Sequence, residues 1–104
     1  MSHSIEERIE LLKSFCIEDP KDPFNHYSLL LETQKVNYKQ SEKIGDFLIL
    51  EFPNYLATYY MFGQLLEEEN PLKALEIYRK GIEIASQENN IKTGNELKSA
   101  LQNL

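Results

Sequence analysis

Apolar residues recur along most of the chain at intervals of three and four, which is the spacing of one face of an α-helix. The pattern predicts helices over about 5–17, 24–36, 39–51, 54–68, 71–86 and 91–104. No stretch alternates apolar and polar residues for long enough to predict a β-strand. The chain is therefore predicted to be all-α, with about six helices.

Capping and helix-breaking residues separate these segments. Ser4 and Glu7 form a capping box, in which two side chains satisfy N–H groups at the start of a helix. Pro53 ends the third segment, because proline disfavours helix at the residue before it. Asn70 and Pro71 are typical of an N-cap and a first helical position. These signals predict separate helices rather than one long one.

The chain resembles itself when it is shifted by 33 residues. Each unit is predicted to be a helix, a tight turn and a second helix, over 20–52 (repeat 1) and 53–86 (repeat 2). The five identities fall at breakers, turns and apolar positions, which supports an internal repeat. They are Pro20 with Pro53, Tyr27 with Tyr60, Asn37 with Asn70, Ile44 with Ile77, and Ile49 with Ile82.

A period near 34 residues with this layout resembles the tetratricopeptide repeat. Repeat 2 carries the motif: Tyr59-x-x-Phe62-Gly63-x-x-Leu66, followed by Ala74-x-x-x-Tyr78. In repeat 1, Leu30 stands in place of the glycine and Gly45 in place of the second aromatic. The resemblance implies a single domain over 1–104, a short right-handed superhelix of antiparallel helix pairs. Segments 5–17 and 90–104 would be its N-terminal helix and its C-terminal capping helix.

Gly63 lies in the middle of the fourth predicted helix, where glycine costs about 1 kcal/mol relative to alanine. The resemblance implies that the two helices of repeat 2 cross closely, with Gly63 and Ala74 as the small residues at the crossing. Gly81 would be a further small position, against which the next helix packs. Ile91, Leu97 and Leu101 are expected to cover the apolar side of the fifth helix.

The acidic balance of the chain argues against several classes of partner. It has 17 acidic and 11 basic residues, a net charge of −6. Because phosphate backbones and anionic lipids are bound by clustered Lys and Arg, neither nucleic acid nor membrane is expected. No run of about 18 apolar residues predicts a membrane-spanning helix. The first ten residues lack a secretory-signal pattern and Cys16 is the single cysteine, so a cytoplasmic location is expected.

Side chains suited to catalysis or metal binding are few. The histidines are His3 and His26, and no His or Cys pair has the spacing of a zinc site. We expect His26 to pack or lie on the surface, and Cys16 to be a buried, inert thiol. Successive helical residues point about 100° apart, so the carboxylates of residues 67–69 cannot converge on one point. They are interpreted as a solvated rim or a surface for basic ligands, and no enzyme, metal or cofactor is expected.

In the tetratricopeptide family the first helices of successive repeats line a concave face that holds a peptide or a helix. The matched positions imply an aromatic and acidic groove with a partner segment carrying Lys or Arg. They are Tyr27, Leu31, Gln34 and Lys35 in repeat 1, and Tyr60, Gln64, Glu67 and Glu68 in repeat 2.

Two alternatives remain open at this stage. Tyrosine suits interfaces because it combines apolar area with a hydrogen-bonding group, yet Tyr27 and Tyr60 could equally pack between neighbouring helices. The leading hypothesis is a non-catalytic protein–protein interaction module. The alternative is a homodimeric or larger structural assembly in which the repeat face is used for self-association.

Overall fold

The computed structural model describes residues 4–104, and all regular secondary structure in this range is helical. The prediction of an all-α chain with about six helices is confirmed. The helices are α1 (Ile5–Glu18), α2 (Pro23–Thr33), α3 (Tyr38–Glu51), α4 (Ala57–Leu66), α5 (Pro71–Gln87) and α6 (Ile91–Gln102).

Short polar side chains determine where five of these helices begin, and for α2 the Asp22 carboxylate accepts from the Phe24 N–H at 3.0 Å. The Ser4 hydroxyl accepts a hydrogen bond from the Glu7 backbone N–H at 3.1 Å, which confirms the capping box. The side-chain oxygens of Asn37, Asn70 and Asn90 accept from backbone N–H groups three residues further on, at 3.1 to 3.2 Å. Each such cap typically contributes about 1 kcal/mol, because the N–H would otherwise lack a helical partner.

Two predicted helix boundaries are wrong by three residues. α4 begins at Ala57 rather than at residue 54, because the preceding residues form a turn. The hydroxyl of Tyr59 donates to the carbonyl of Pro53 and ties this turn to α4. α2 ends at Thr33 rather than near Val36, because the N–H groups of Lys35 and Val36 bond to carbonyls three residues back, as in a turn, instead of four residues back, as in an α-helix.

The chain divides into two compact units, one up to Phe52 and one from Pro53 onward. In the N-terminal unit α2 packs against both α1 and α3. In the C-terminal unit α5 packs against both α4 and α6, and α4 also contacts α6. The division falls where the sequence repeat places the start of repeat 2. A single domain over 1–104 stays a prediction.

Aromatic side chains form the centre of the C-terminal unit. Tyr59, Phe62 and Tyr78 are completely buried, and Leu66 and Leu97 are buried with them. Burying side chains of this size contributes roughly 1.5 to 3 kcal/mol each. Burial also raises the pKa of the Tyr59 hydroxyl to about 12, and the charge of Glu88 adds to that rise. This phenol is therefore a neutral donor at ordinary pH.

Gly63 lies directly against the ring of Tyr78. A Cβ atom at Gly63 would come within 2.6 Å of both Cδ1 and Cζ of that ring. The three atoms nearest to this position all belong to Tyr78, and the expected pairing with Ala74 stays a prediction. The absent side chain makes room for an aromatic ring on the facing helix.

Gly81 is the second close approach in the same unit. A Cβ atom there would lie 2.6 Å from Cβ of Tyr59 and 2.9 Å from Cδ1 of Leu97. The expectation of a small position against the next helix is confirmed. The expected covering role of Ile91 is wrong: it is the first residue of α6 and remains 76% exposed, whereas Leu97 is completely buried.

His26 has a packing role, as expected. Its ring centroid lies 4.8 Å from that of Phe47 and 5.8 Å from that of Phe52, and its Nε2 atom is 3.1 Å from the Pro20 carbonyl oxygen. Cys16 is half-buried rather than buried, and burial raises the pKa of its thiol. His3 lies outside the described residues.

Candidate functional site

The predicted binding residues of repeat 2 share one side of α4. Tyr60, Gln64 and Glu67 follow at spacings of four and three, which places them along the same helix face. The side-chain amide of Gln64 donates a hydrogen bond to the Tyr60 hydroxyl at 3.1 Å. Tyr60 is half-buried and Gln64 is exposed. The structure thus brings together an aromatic ring, an amide and a carboxylate.

Glu67 is part of the packing as well as of the surface. Its carboxylate accepts a hydrogen bond from the hydroxyl of the buried Tyr78 at 3.2 Å. Burial first, and the Glu67 charge second, raise the pKa of Tyr78 well above its usual range. The neutral phenol therefore stays a donor and holds Glu67 in place. Glu68, the next residue, is exposed.

α6 supplies the opposite wall of a cleft beside Tyr60. The cleft has a volume of about 570 Å³ and is lined by Tyr60, Asn95, Glu96 and Ser99. The binding-site prediction omits the three α6 residues. The sequence could have indicated these residues, since they lie on the polar side of the predicted sixth helix. The apolar side of that helix packs against α5, which leaves the polar side available to line a cleft.

The predicted binding residues of repeat 1 are divided between α2 and the turn after it. Tyr27 and Leu31 are half-buried and lie one helical turn apart on α2. Gln34 and Lys35 follow the end of the helix. The Lys35 ammonium lies 3.3 Å from the carboxylate of Glu32, so this predicted contact residue already has an internal ionic partner.

Leu31 lines a second cleft, between α1 and α2, with a volume of about 360 Å³. Arg8 pairs with Glu32 across its rim at 3.4 Å. Burial alone would raise the pKa of Glu32, but the hydrogen bond from Lys35 and the charges of Arg8 and Lys35 hold that pKa below its ordinary value. The ionised carboxylate thus links both cations. The remaining lining residues are Leu11, Leu12 and Ser28.

Two solved structures resemble this chain in both sequence and fold. The solution NMR structure of a tetratricopeptide repeat domain protein from Salinibacter ruber is 34% identical, with a TM-score of 0.76. The match covers 82% of this chain and 88% of that one. A crystal structure of a tetratricopeptide repeat domain protein from the same organism is also 34% identical, has a TM-score of 0.71, and matches over 78% and 93% of the two chains.

The chain belongs to the tetratricopeptide repeat family. No protein-family model matches it, and no curated protein matches it. As a tetratricopeptide repeat protein it falls, in general terms, in a class of protein-interaction modules. Membership also explains the helix-turn-helix layout, the small residues Gly63 and Gly81, and the aromatic Tyr78.

Within residues 4–104, no group of three or more His, Cys, Asp or Glu side chains is arranged to hold a metal ion. None of the helices in that same range is long and apolar enough to cross a membrane.

Proposed function

We propose that the chain binds a peptide or a helix of another protein, and that Tyr60 is the centre of the contact. The supporting observation is the cleft between α4 and α6, where the ring of Tyr60 lies beside the polar side chains of α6. A half-exposed tyrosine at the wall of a concave surface is typical of residues that contribute most of the binding energy in interfaces.

The charges around this cleft favour a cationic partner. Glu96 lines the cleft, and Glu67 and Glu68 follow Tyr60 on or just after α4. A segment carrying Lys or Arg would gain both ionic contacts with these carboxylates and stacking of the cation on the tyrosine ring. The net charge of −6 adds a general attraction for such a segment.

Tyr27 and Leu31 occupy in repeat 1 the positions of Tyr60 and Gln64 in repeat 2. We propose them, with Gln34 and Lys35, as a second contact surface of the same kind. Lys35 is committed to Glu32 and Gln34 lies beyond the end of α2, so Tyr27 and Leu31 are the residues of this surface to test first.

Affinity selection from a displayed library of random peptides tests the proposal. We expect the selected peptides to be enriched in Lys and Arg and to bind Tyr60→Ala about thirty-fold more weakly than wild type, which corresponds to a loss of about 2 kcal/mol. Leu72→Ala is the matched control, because Leu72 is 74% exposed on α5 and lies outside the cleft.

Folding must be measured on the same variants. A Tyr60→Ala protein that melts like wild type and still binds the selected peptides undiminished would exclude the cleft as the site. Peptides enriched in acidic residues would contradict the charge argument while leaving the position of the site standing.

A further inference from the structure

α1 leaves part of its apolar side exposed. Of the six helices in residues 4–104, it is the one without a buried residue. Leu11 is 47% exposed and Phe15 is 39% exposed, and their spacing of four places them on the same side of the helix. Within the N-terminal unit α1 packs against α2 alone.

A concave recess lies next to this apolar stripe. Leu11 forms part of the wall of the cleft of about 360 Å³ between α1 and α2, together with Leu12 and Leu31. Leu11 therefore belongs both to the exposed stripe and to the recess. Such a surface can both insert an apolar side chain and receive one, as a self-complementary interface requires.

Arg8 and Glu18 give this surface a symmetric pair of opposite charges. Arg8 lies three residues before Leu11, and Glu18 lies three residues after Phe15. If the direction of α1 is reversed, Leu11 takes the position of Phe15 and Arg8 takes the position of Glu18. Two α1 helices packed antiparallel would therefore place Leu11 against Phe15 of the second copy, and Arg8 against Glu18 of the second copy. All four residues lie on one flank of the helix, within about 80° of each other at 100° per residue.

We infer that α1 is a homodimerisation surface, on which a second copy of the chain packs its own α1 antiparallel about a two-fold axis. A two-fold interface brings the same patch of each copy together, so the self-complementary pattern is the feature that it needs.

The interface is small, which determines how the dimer should behave. A helix of 14 residues is about 21 Å long at 1.5 Å per residue. The area that one such helix and its flanking cleft can bury lies toward the lower end of the range for specific interfaces. We therefore expect a reversible dimer whose population rises with protein concentration. Arg8 already pairs with Glu32, but its guanidinium carries five N–H donors and can serve a second carboxylate.

Sedimentation equilibrium of the full chain, from low to high micromolar concentration, tests the inference. We expect the apparent mass to rise from 12.2 kDa toward twice that value. Leu11→Lys should remain at the monomer mass throughout the range. Leu72→Lys is the matched control, because it also replaces an exposed leucine by lysine on a helix, and it should dimerise like wild type.

A second pair of variants tests the charge pattern even if Leu11→Lys were to fold poorly. Glu18→Lys should weaken the dimer, because the introduced ammonium of one copy would then face the Arg8 guanidinium of the other. Glu51→Lys is its control, since Glu51 is likewise an exposed glutamate at the last position of a helix, α3. Circular dichroism melting establishes that each variant is folded.

Three results would overturn the inference. The first is a wild-type mass that stays at 12.2 kDa at every concentration. The second is equal dimer stability in Leu11→Lys and Glu18→Lys and in their respective controls. The third is a dimer lost in Tyr60→Ala but kept in Leu11→Lys, which would assign self-association to the repeat face instead. None of these results depends on whether the Tyr60 cleft binds peptides.

Discussion

At the scale of single residues, Gly63 and Gly81 show how an absent side chain determines where two helices meet. The Tyr78 ring occupies the space that a Gly63 side chain would need, and the side chains of Tyr59 and Leu97 do the same at Gly81. Each glycine weakens its own helix by about 1 kcal/mol. The aromatic side chains that it admits are completely buried, and their burial more than offsets this cost.

Gly63→Ala and Gly94→Ala make the same chemical change and should have opposite effects. Alanine at residue 63 would force the buried Tyr78 ring to move, and overpacking of this kind typically costs about 1 to 3 kcal/mol. Alanine at residue 94 would meet Cβ of Ala85 at an ordinary 3.7 Å, so the helix-propensity gain of about 0.5 to 1 kcal/mol should remain.

Denaturant unfolding of the two variants against wild type measures both effects. A Gly63→Ala protein as stable as Gly94→Ala would show that the Tyr78 ring can move without cost, and the close-approach explanation would be wrong.

The repeat motif predicts the importance of Gly63 and Tyr78 but not that they touch. Sequence spacing gives the face of a helix on which a residue lies, whereas the rotamer of a facing ring depends on packing across the unit. Glu67 is a similar case. The acidic run 67–69 indicates a charged rim, and only the geometry of α4 and α5 shows that Tyr78 donates a hydrogen bond to the first of the three.

At the scale of the elements, the boundaries that the sequence predicts well are those with a side-chain cap. Asn37, Asn70 and Asn90 each begin a helix within a residue of the predicted position. α4 is the exception, because its N-cap Leu56 has no side-chain hydrogen bond, and Pro53 suggests an earlier start. A helix without a cap begins where tertiary contacts allow it, and a single sequence does not report those contacts.

Leu97→Ala and Ile91→Ala test how α6 covers α5. Leu97 is completely buried and contacts the space beside Gly81, so truncation should cost about 2 to 5 kcal/mol. Ile91 is 76% exposed at the start of α6, and its truncation should change the free energy of unfolding by less than about 0.5 kcal/mol. Thermal melting of both variants measures the contrast.

Equal melting temperatures for the two variants would contradict the assignment of α6 as the helix that completes the C-terminal core. The same comparison corrects the sequence expectation, in which Ile91 and Leu97 share the covering role. Both positions fit the apolar periodicity, but Ile91 directly follows the N-cap Asn90, and its side chain lies at the edge of the contact with α5.

At the scale of the whole molecule, the acidic charge has both a general and a local part. The net charge of −6 attracts any cationic segment, and long-range attraction of this kind raises the association rate. Glu96 lines the cleft beside Tyr60 and Glu68 lies just after the end of α4, whereas other exposed glutamates, such as Glu76 and Glu83 on α5, lie outside the cleft lining. If the partner binds beside Tyr60, its affinity should depend on the carboxylates near that residue more than on the net charge.

A pair of charge-matched double variants separates these two contributions. Glu68→Gln with Glu96→Gln, and Glu76→Gln with Glu83→Gln, each change the net charge from −6 to −4, since each removes two negative charges. The first pair should bind a selected Lys- or Arg-containing peptide at least about twofold more weakly at low salt, because exposed ion pairs contribute roughly 0.2 to 1 kcal/mol each. The second pair should change the affinity much less. Raising the salt concentration should remove the difference, because screening acts on exposed charges. Isothermal titration of wild type and both double variants at two salt concentrations measures these affinities. Equal losses in the two double variants would mean that the peptide responds to the overall charge and not to a site beside Tyr60.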